Sequence, residues 1–144
     1  MNVTMERFGY KKNLICEYNN WCVLLRDQQV TLGSVVIIEK SNSIALADVT
    51  PESFAELATV ISDYENVVSE LYPVRRFNYM ALMMVDPNVH FHVVPRYESD
   101  INEFNYDFSD SLYPSPPNLS KVNNCSADVK ALVLDKIVSQ WPKR

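Results

Sequence analysis

Residues 86–97 read DPNVHFHVVPRY and contain both histidines of a 144-residue chain. On a strand each residue advances roughly 3.3 Å and successive side chains point to opposite faces. Asn88, His90, His92 and Val94 therefore project together, while Val89, Phe91 and Val93 turn towards a core. The two imidazoles then sit about 6.6 Å apart along the strand, near enough to touch one phosphate-sized group. Three chemistries fit this pattern. A His-x-His pair on a strand ligates zinc, iron or manganese when a third ligand completes the set. Glu98 is the nearest candidate in sequence, but Pro95 is expected to end the regular ladder between it and the pair. Alternatively, one imidazole attacks phosphorus while the other holds the phosphate. In the third, both rings are simply hydrogen-bonded within a half-buried sheet. Spacing alone leaves all three open.

Composition narrows the partners. The chain is 47% hydrophobic and 22% charged, as in ordinary globular domains, and its length suits one domain over 1–144. A net charge of −5 disfavours nucleic acid and acidic membranes, though a local pocket can still hold a small anion. No apolar run approaches the roughly 20 residues of a spanning helix. The opening MNVTMERFGYKKN shows no apolar core of a secretory signal. Cys16, Cys22 and Cys125 are odd in number and lack CxxC spacing, which favours idle thiols in a reducing compartment. A cytoplasmic location is expected. With only Gly9 and Gly33 available, neither a P-loop nor a dinucleotide fingerprint can form.

The elements that must position the histidines follow from periodicity. LICEYNNWCVLLR (14–26) reads as strand broken at Asn19-Asn20, and VVIIEK (35–40) as a buried strand. Thr50, Pro51 and Glu52 start a long helix, and Phe54, Leu57, Ile61, Tyr64, Val68 and Leu71 form its expected apolar stripe. FNYMALMMVD (77–86) and VHFHVVPR (89–96) read as a hairpin turning at Asp86-Pro87-Asn88. Residues 97–124 read as a long loop, too long to be idle. Its aromatics Tyr97, Phe104, Tyr106, Phe108 and Tyr113 either line a nucleoside pocket or a dimer interface, or anchor the loop to the core. A last helix is capped by Ser126, with Val129, Leu132, Val133, Ile137 and Val138 as its stripe. The expected fold is α+β: a mainly antiparallel sheet with one long central helix and a C-terminal helix.

FNYMALMMVDPNVHFHVVPRY closely resembles the signature of the histidine triad family of nucleotide hydrolases and transferases, with weaker likeness over about 14–140. In that family three histidines alternate on one strand, often followed by Pro-Arg. Asn88 stands at the first position, His90 at the middle one, the nucleophile, and His92 at the third, which helps hold phosphate oxygens. Ser34 stands where a Gly-His element has histidine, and Asn78 near a polar residue at the phosphate. The resemblance implies catalytic His90 and His92, and phosphate binding by Asn88, Asn78 and Ser34. Neutral His90 would attack the α-phosphorus of a phosphoramidate, dinucleoside polyphosphate or similar substrate, with one ring nitrogen oriented by a hydrogen bond. It implies no metal or cofactor, a small-molecule nucleotide as partner, and a homodimer joined through its sheets. With Asn88 and Ser34 at two histidine positions, the alternative is a weakened scaffold that binds a nucleotide or a partner without turnover.

Overall fold

The computed structural model describes residues 1–144. In chain order the elements are α1 (Val3–Arg7), α2 (Tyr10–Asn13), β1 (Leu14–Glu17), β2 (Trp21–Leu25), β3 (Val35–Glu39) and α3 (Pro51–Leu71). There follow β4 (Arg76–Met80), β5 (His90–Arg96), β6 (Ile101–Glu103), β7 (Tyr106–Phe108) and α4 (Ala127–Gln140). Strands β1 to β5 form one antiparallel sheet in the order β1-β2-β3-β5-β4, so the histidine strand lies inside it. This is the expected α+β architecture. No helix is long and apolar enough to cross a membrane.

Both long helices begin where their caps predict. The Thr50 and Ser126 hydroxyls accept from the amides of Ser53 and Val129, each at 3.1 Å. Their buried faces are rotated from the expected stripes. In α3 the inner positions are Leu57, Val60, Tyr64, Val67 and Val68, whereas Phe54 is exposed and Ile61 and Leu71 are half-buried. In α4 Val133 and Ile137 are buried and Leu132 and Val138 exposed. Each helix carries two overlapping apolar stripes, and the one that meets the sheet is decided by packing, not by spacing.

Three local expectations are corrected. Residues 81–89 are a loop rather than a continuation of strand closed by Asp-Pro-Asn, because β4 ends at Met80 and β5 starts at His90. Pro95 lies within β5, paired with Phe77 of β4. The β3–β5 ladder has already ended at Val35–Val93, so no ladder bond to β3 is lost for want of a proline N–H. Residues 97–124 contain the β6–β7 hairpin, turned through Phe104 and Asn105, both at positive φ. Tyr97 and Phe108 are buried in the main core, and Phe104 and Tyr106 pack against it. For these four the anchoring role is the one their contacts support.

The sheet is covered on both sides. One face, carrying Val23, Leu25, Val35, Ile37 and Val93, packs under α3 and α4. The other carries Leu14, Cys22, Leu24, Val36 and Ile38, and is covered by Met5, Phe8 and Tyr10. The histidines belong to this second face.

Candidate active site

Register places the pair on β5: His90 faces Ile38 and His92 faces Val36 of β3, while Phe91 and Val93 turn to the helical side. Alternation therefore holds as read. The rings lean together, with centroids 4.9 Å apart and planes at 83°. His90 Nδ1 lies 2.6 Å from the Asn88 carbonyl oxygen, to which it donates. In the neutral ring this bond fixes the tautomer, with the proton on Nδ1 and the lone pair on Nε2. Burial lowers the His92 pKa to about 4, helped by repulsion from His90 whenever that ring is charged and from the Arg26 guanidinium, so this ring is neutral at physiological pH. Cys22, on the same face, is buried and its thiol is pushed up to about 12, which removes it as a nucleophile.

The N-terminal segment closes this face. The Phe8 ring lies 5.8 Å from His90 and 5.7 Å from His92, centroid to centroid. His90 and His92 are only 1% and 5% exposed, so both rings are shut away from solvent. Asn88 fastens it. Its Oδ1 accepts from the Thr4 amide at 3.2 Å, and its own amide donates to the Thr4 hydroxyl at 3.0 Å. Asn2 caps α1 and donates from its side-chain amide to the Glu39 and Ser41 carbonyls, at 2.9 and 2.8 Å. The sequence did carry this signal: Asn2 as N-cap, Met5 and Phe8 three residues apart, and a glycine just past the helix, Gly9, which the structure holds in the left-handed conformation at φ 78°.

The other expected site residues sit at one end of the face and are engaged within the chain. The Ser34 hydroxyl donates to the Thr31 carbonyl at 2.8 Å and accepts from the Thr31 amide at 3.1 Å. Asn78 Oδ1 accepts from Arg96 Nη1 at 2.8 Å. Arg96 also grips Asp110 with two bonds, 2.7 and 3.1 Å, and both side chains are buried. No three histidine, cysteine or carboxylate side chains converge as a metal-binding group. A cavity of about 680 Å³ lined by Glu17, Tyr18, Lys40, Glu56 and Arg144 contains neither histidine.

Sequence reading passed over Arg26. It follows Cys22 and Leu24 on alternate positions, and its amide donates to the Ser34 carbonyl at 3.0 Å, extending the β2–β3 ladder by one step. Its side chain therefore shares the histidine face. Arg26 is 9% exposed, and its Nε and the Nδ1 of His92 are both buried without a partner.

Comparison with solved structures places this architecture. The chain is similar to a histidine triad protein from Bradyrhizobium japonicum, with TM-score 0.73, 14% identity, and 99% of this chain and 97% of that one covered. It is similar to a histidine triad protein from Marinobacter aquaeolei, with TM-score 0.72, 20% identity, and 95% and 96% covered. It is also similar to a hypothetical histidine triad nucleotide-binding protein from Sulfolobus tokodaii, with TM-score 0.69, 15% identity, and 95% and 88% covered. No protein-family model and no curated protein matches the sequence. The chain has the histidine triad fold.

Proposed function

We propose that this protein is a nucleotide hydrolase or nucleotidyl transferase that cleaves at an α-phosphate through a nucleotidyl-His90 intermediate. One observation carries the reading: His90 donates Nδ1–H to the Asn88 carbonyl and so presents Nε2 as a nucleophile, with a neutral His92 beside it. Attack forms the Nε2–P bond and breaks the bond to the leaving group, which departs with its electron pair. Water, or another acceptor in a transferase, then attacks phosphorus. The N–P bond returns its electrons to His90, and the acceptor's proton passes to the solvent or the ring. His92 and backbone N–H groups meet charge on the phosphate oxygens. Asn88 acts mainly through its carbonyl, which orients the nucleophile, while Ser34 and Asn78 hold the frame around the phosphate site.

His90→Ala is expected to abolish release of nucleoside monophosphate from adenosine phosphoramidate and dinucleoside polyphosphates, and no histidine adduct should then be trapped. Undiminished release by His90→Ala overturns the assignment. A second reading, a nucleotide- or partner-binding scaffold without turnover, is favoured by the closed histidine face. It expects a silent wild type in which Asn88→His with Ser34→His restores hydrolysis. The same proposal includes a cytoplasmic homodimer that uses a small-molecule nucleotide and no nucleic acid. Strand β4 offers a free sheet edge for pairing. Light scattering that gives a monomer mass at working concentration removes the dimer.

A further inference from the structure

We propose that Arg26 anchors the phosphate next to the one His90 attacks, so that this site prefers phosphoanhydride over phosphoramidate substrates. This rests on the nucleotidyl-transfer reading above.

The sheet lays out three successive rows on one face. Cys22, Ile38 and His90 form one row, Leu24, Val36 and His92 the next, and Arg26 and Ser34 the third. Rows are two residues apart, about 6.6 Å. His90 and His92 succeed one another on β5, whereas Arg26 follows β2, one row further on and two strands across, roughly 10 Å to the side, so its long side chain has to reach over β3 towards His92. An anion shared by His92 and Arg26 lies farther from His90 than the reacting phosphorus does.

Arg26 is an unusual buried cation. Arginine is almost never fully buried unless paired, yet this one makes a single side-chain hydrogen bond, Nη1 to the Gln28 carbonyl at 2.9 Å. Asp86 is the carboxylate whose charge reaches it, and Asp86 is itself paired with Arg7 at 3.3 Å. Buried polar groups are normally satisfied. Here Arg26 Nε and His92 Nδ1 are both orphaned on one face, close enough for the guanidinium charge to act on His92, whose ring lies under Phe8. A phosphate supplies the negative charge the guanidinium lacks and enough oxygens for both nitrogens. In the closed structure Phe8 covers this face, so binding displaces its ring.

The leaving group decides specificity. When His90 Nε2 bonds to phosphorus, the bridging P–O bond of an anhydride breaks and its electron pair leaves on the neighbouring phosphate. Arg26 neutralises that gain of charge. An amine leaving group brings no such anion and gains less from the guanidinium.

The test uses the full chain as wild type, Arg26→Gln and Arg26→Lys. Inorganic pyrophosphate is titrated while the histidine and Arg26 Nε–H resonances are followed by NMR. Turnover of a dinucleoside tetraphosphate and of adenosine phosphoramidate is measured in parallel. Pyrophosphate should perturb Arg26 Nε–H and raise the His92 pKa in the wild type. Arg26→Gln should weaken binding by roughly 10- to 100-fold, the loss of a charge-assisted hydrogen bond, and Arg26→Lys should restore part of it. The ratio of kcat/KM for anhydride over amidate should fall at least about tenfold in Arg26→Gln on the same basis. Wild-type protein whose Arg26 resonance ignores pyrophosphate overturns the proposal, whether or not the variants fold. So does folded Arg26→Gln with unchanged binding or an unchanged ratio. If pyrophosphate binds through Arg26 but neither substrate is turned over, the nucleotidyl-transfer reading fails and the anion site stands.

Discussion

His92 is held neutral in a place where water would let it charge. Its folded pKa, about 4, lies below the ordinary histidine value of 6.5. Between those values the unfolded chain binds a proton that the native protein does not, so stability falls as pH drops from about 6.5 towards about 4. The unfolding free energy from denaturant titrations should therefore decline across that window by at least about 1 kcal/mol, and His92→Gln should flatten this part of the profile. Asp27 and Asp63, whose carboxyls are held below 3.8 by Lys130 and Arg144 despite burial, act in a lower window and leave the test clean. Alternation alone placed Asn88, His90 and His92 on one face. It did not show what Asn88 does, because its side-chain partner Thr4 is 84 residues away in sequence. Arg26 escaped notice for a related reason. An arginine at the end of an apolar strand reads as an exposed terminus, and only the Ser34 pairing shows that the face continues past it.

At the scale of elements, the N-terminal segment and the histidine strand act as one unit. Met5 is seated with Cys22, Leu24, Val36 and Ile38, and Phe8 lies over both imidazoles. Phe8→Ala should uncover the rings without unseating Met5, raising the rate at which diethylpyrocarbonate modifies His90 and His92. Peptide mapping that shows unchanged modification would count against the ring as the cover. The long helices show what periodicity can and cannot supply. Thr50-Pro51 and Ser126 mark the starts well, since capping is a local interaction. Which side of α3 faces inward depends on the sheet, and Val60 and Val67 displace Phe54 for that reason. The β4–β5 loop was hidden because MALMMV looks like strand, yet Leu82, Met84 and Val85 are exposed.

Across the whole molecule, the segment 97–124 is tied to the sheet by a buried ion pair. Arg96 at the end of β5 binds Asp110, and both side chains are 4% exposed. Asp110→Ala leaves the guanidinium buried with only the Asn78 oxygen, and should cost about 3–5 kcal/mol in a urea titration. A shift within error would show that the pair is not needed. The overall fold was legible because strand, helix and hairpin patterns each agree locally with the final topology. Long-range polar pairs such as Arg96–Asp110 carry no periodic signal, so the sequence gives them no visible mark.

The reciprocal bonds between Thr4 and Asn88 also set a clock. Both amides are buried and can trade their protons for deuterons only when the N-terminal segment lifts. If His90 is the nucleophile proposed above, the same lifting admits its substrate. The opening rate measured at these two amides is therefore a ceiling on turnover whenever the segment must close and reopen in each cycle. Under that proposal, chemistry at His90, however fast, then proceeds at the pace at which α1 and Phe8 lift from the sheet.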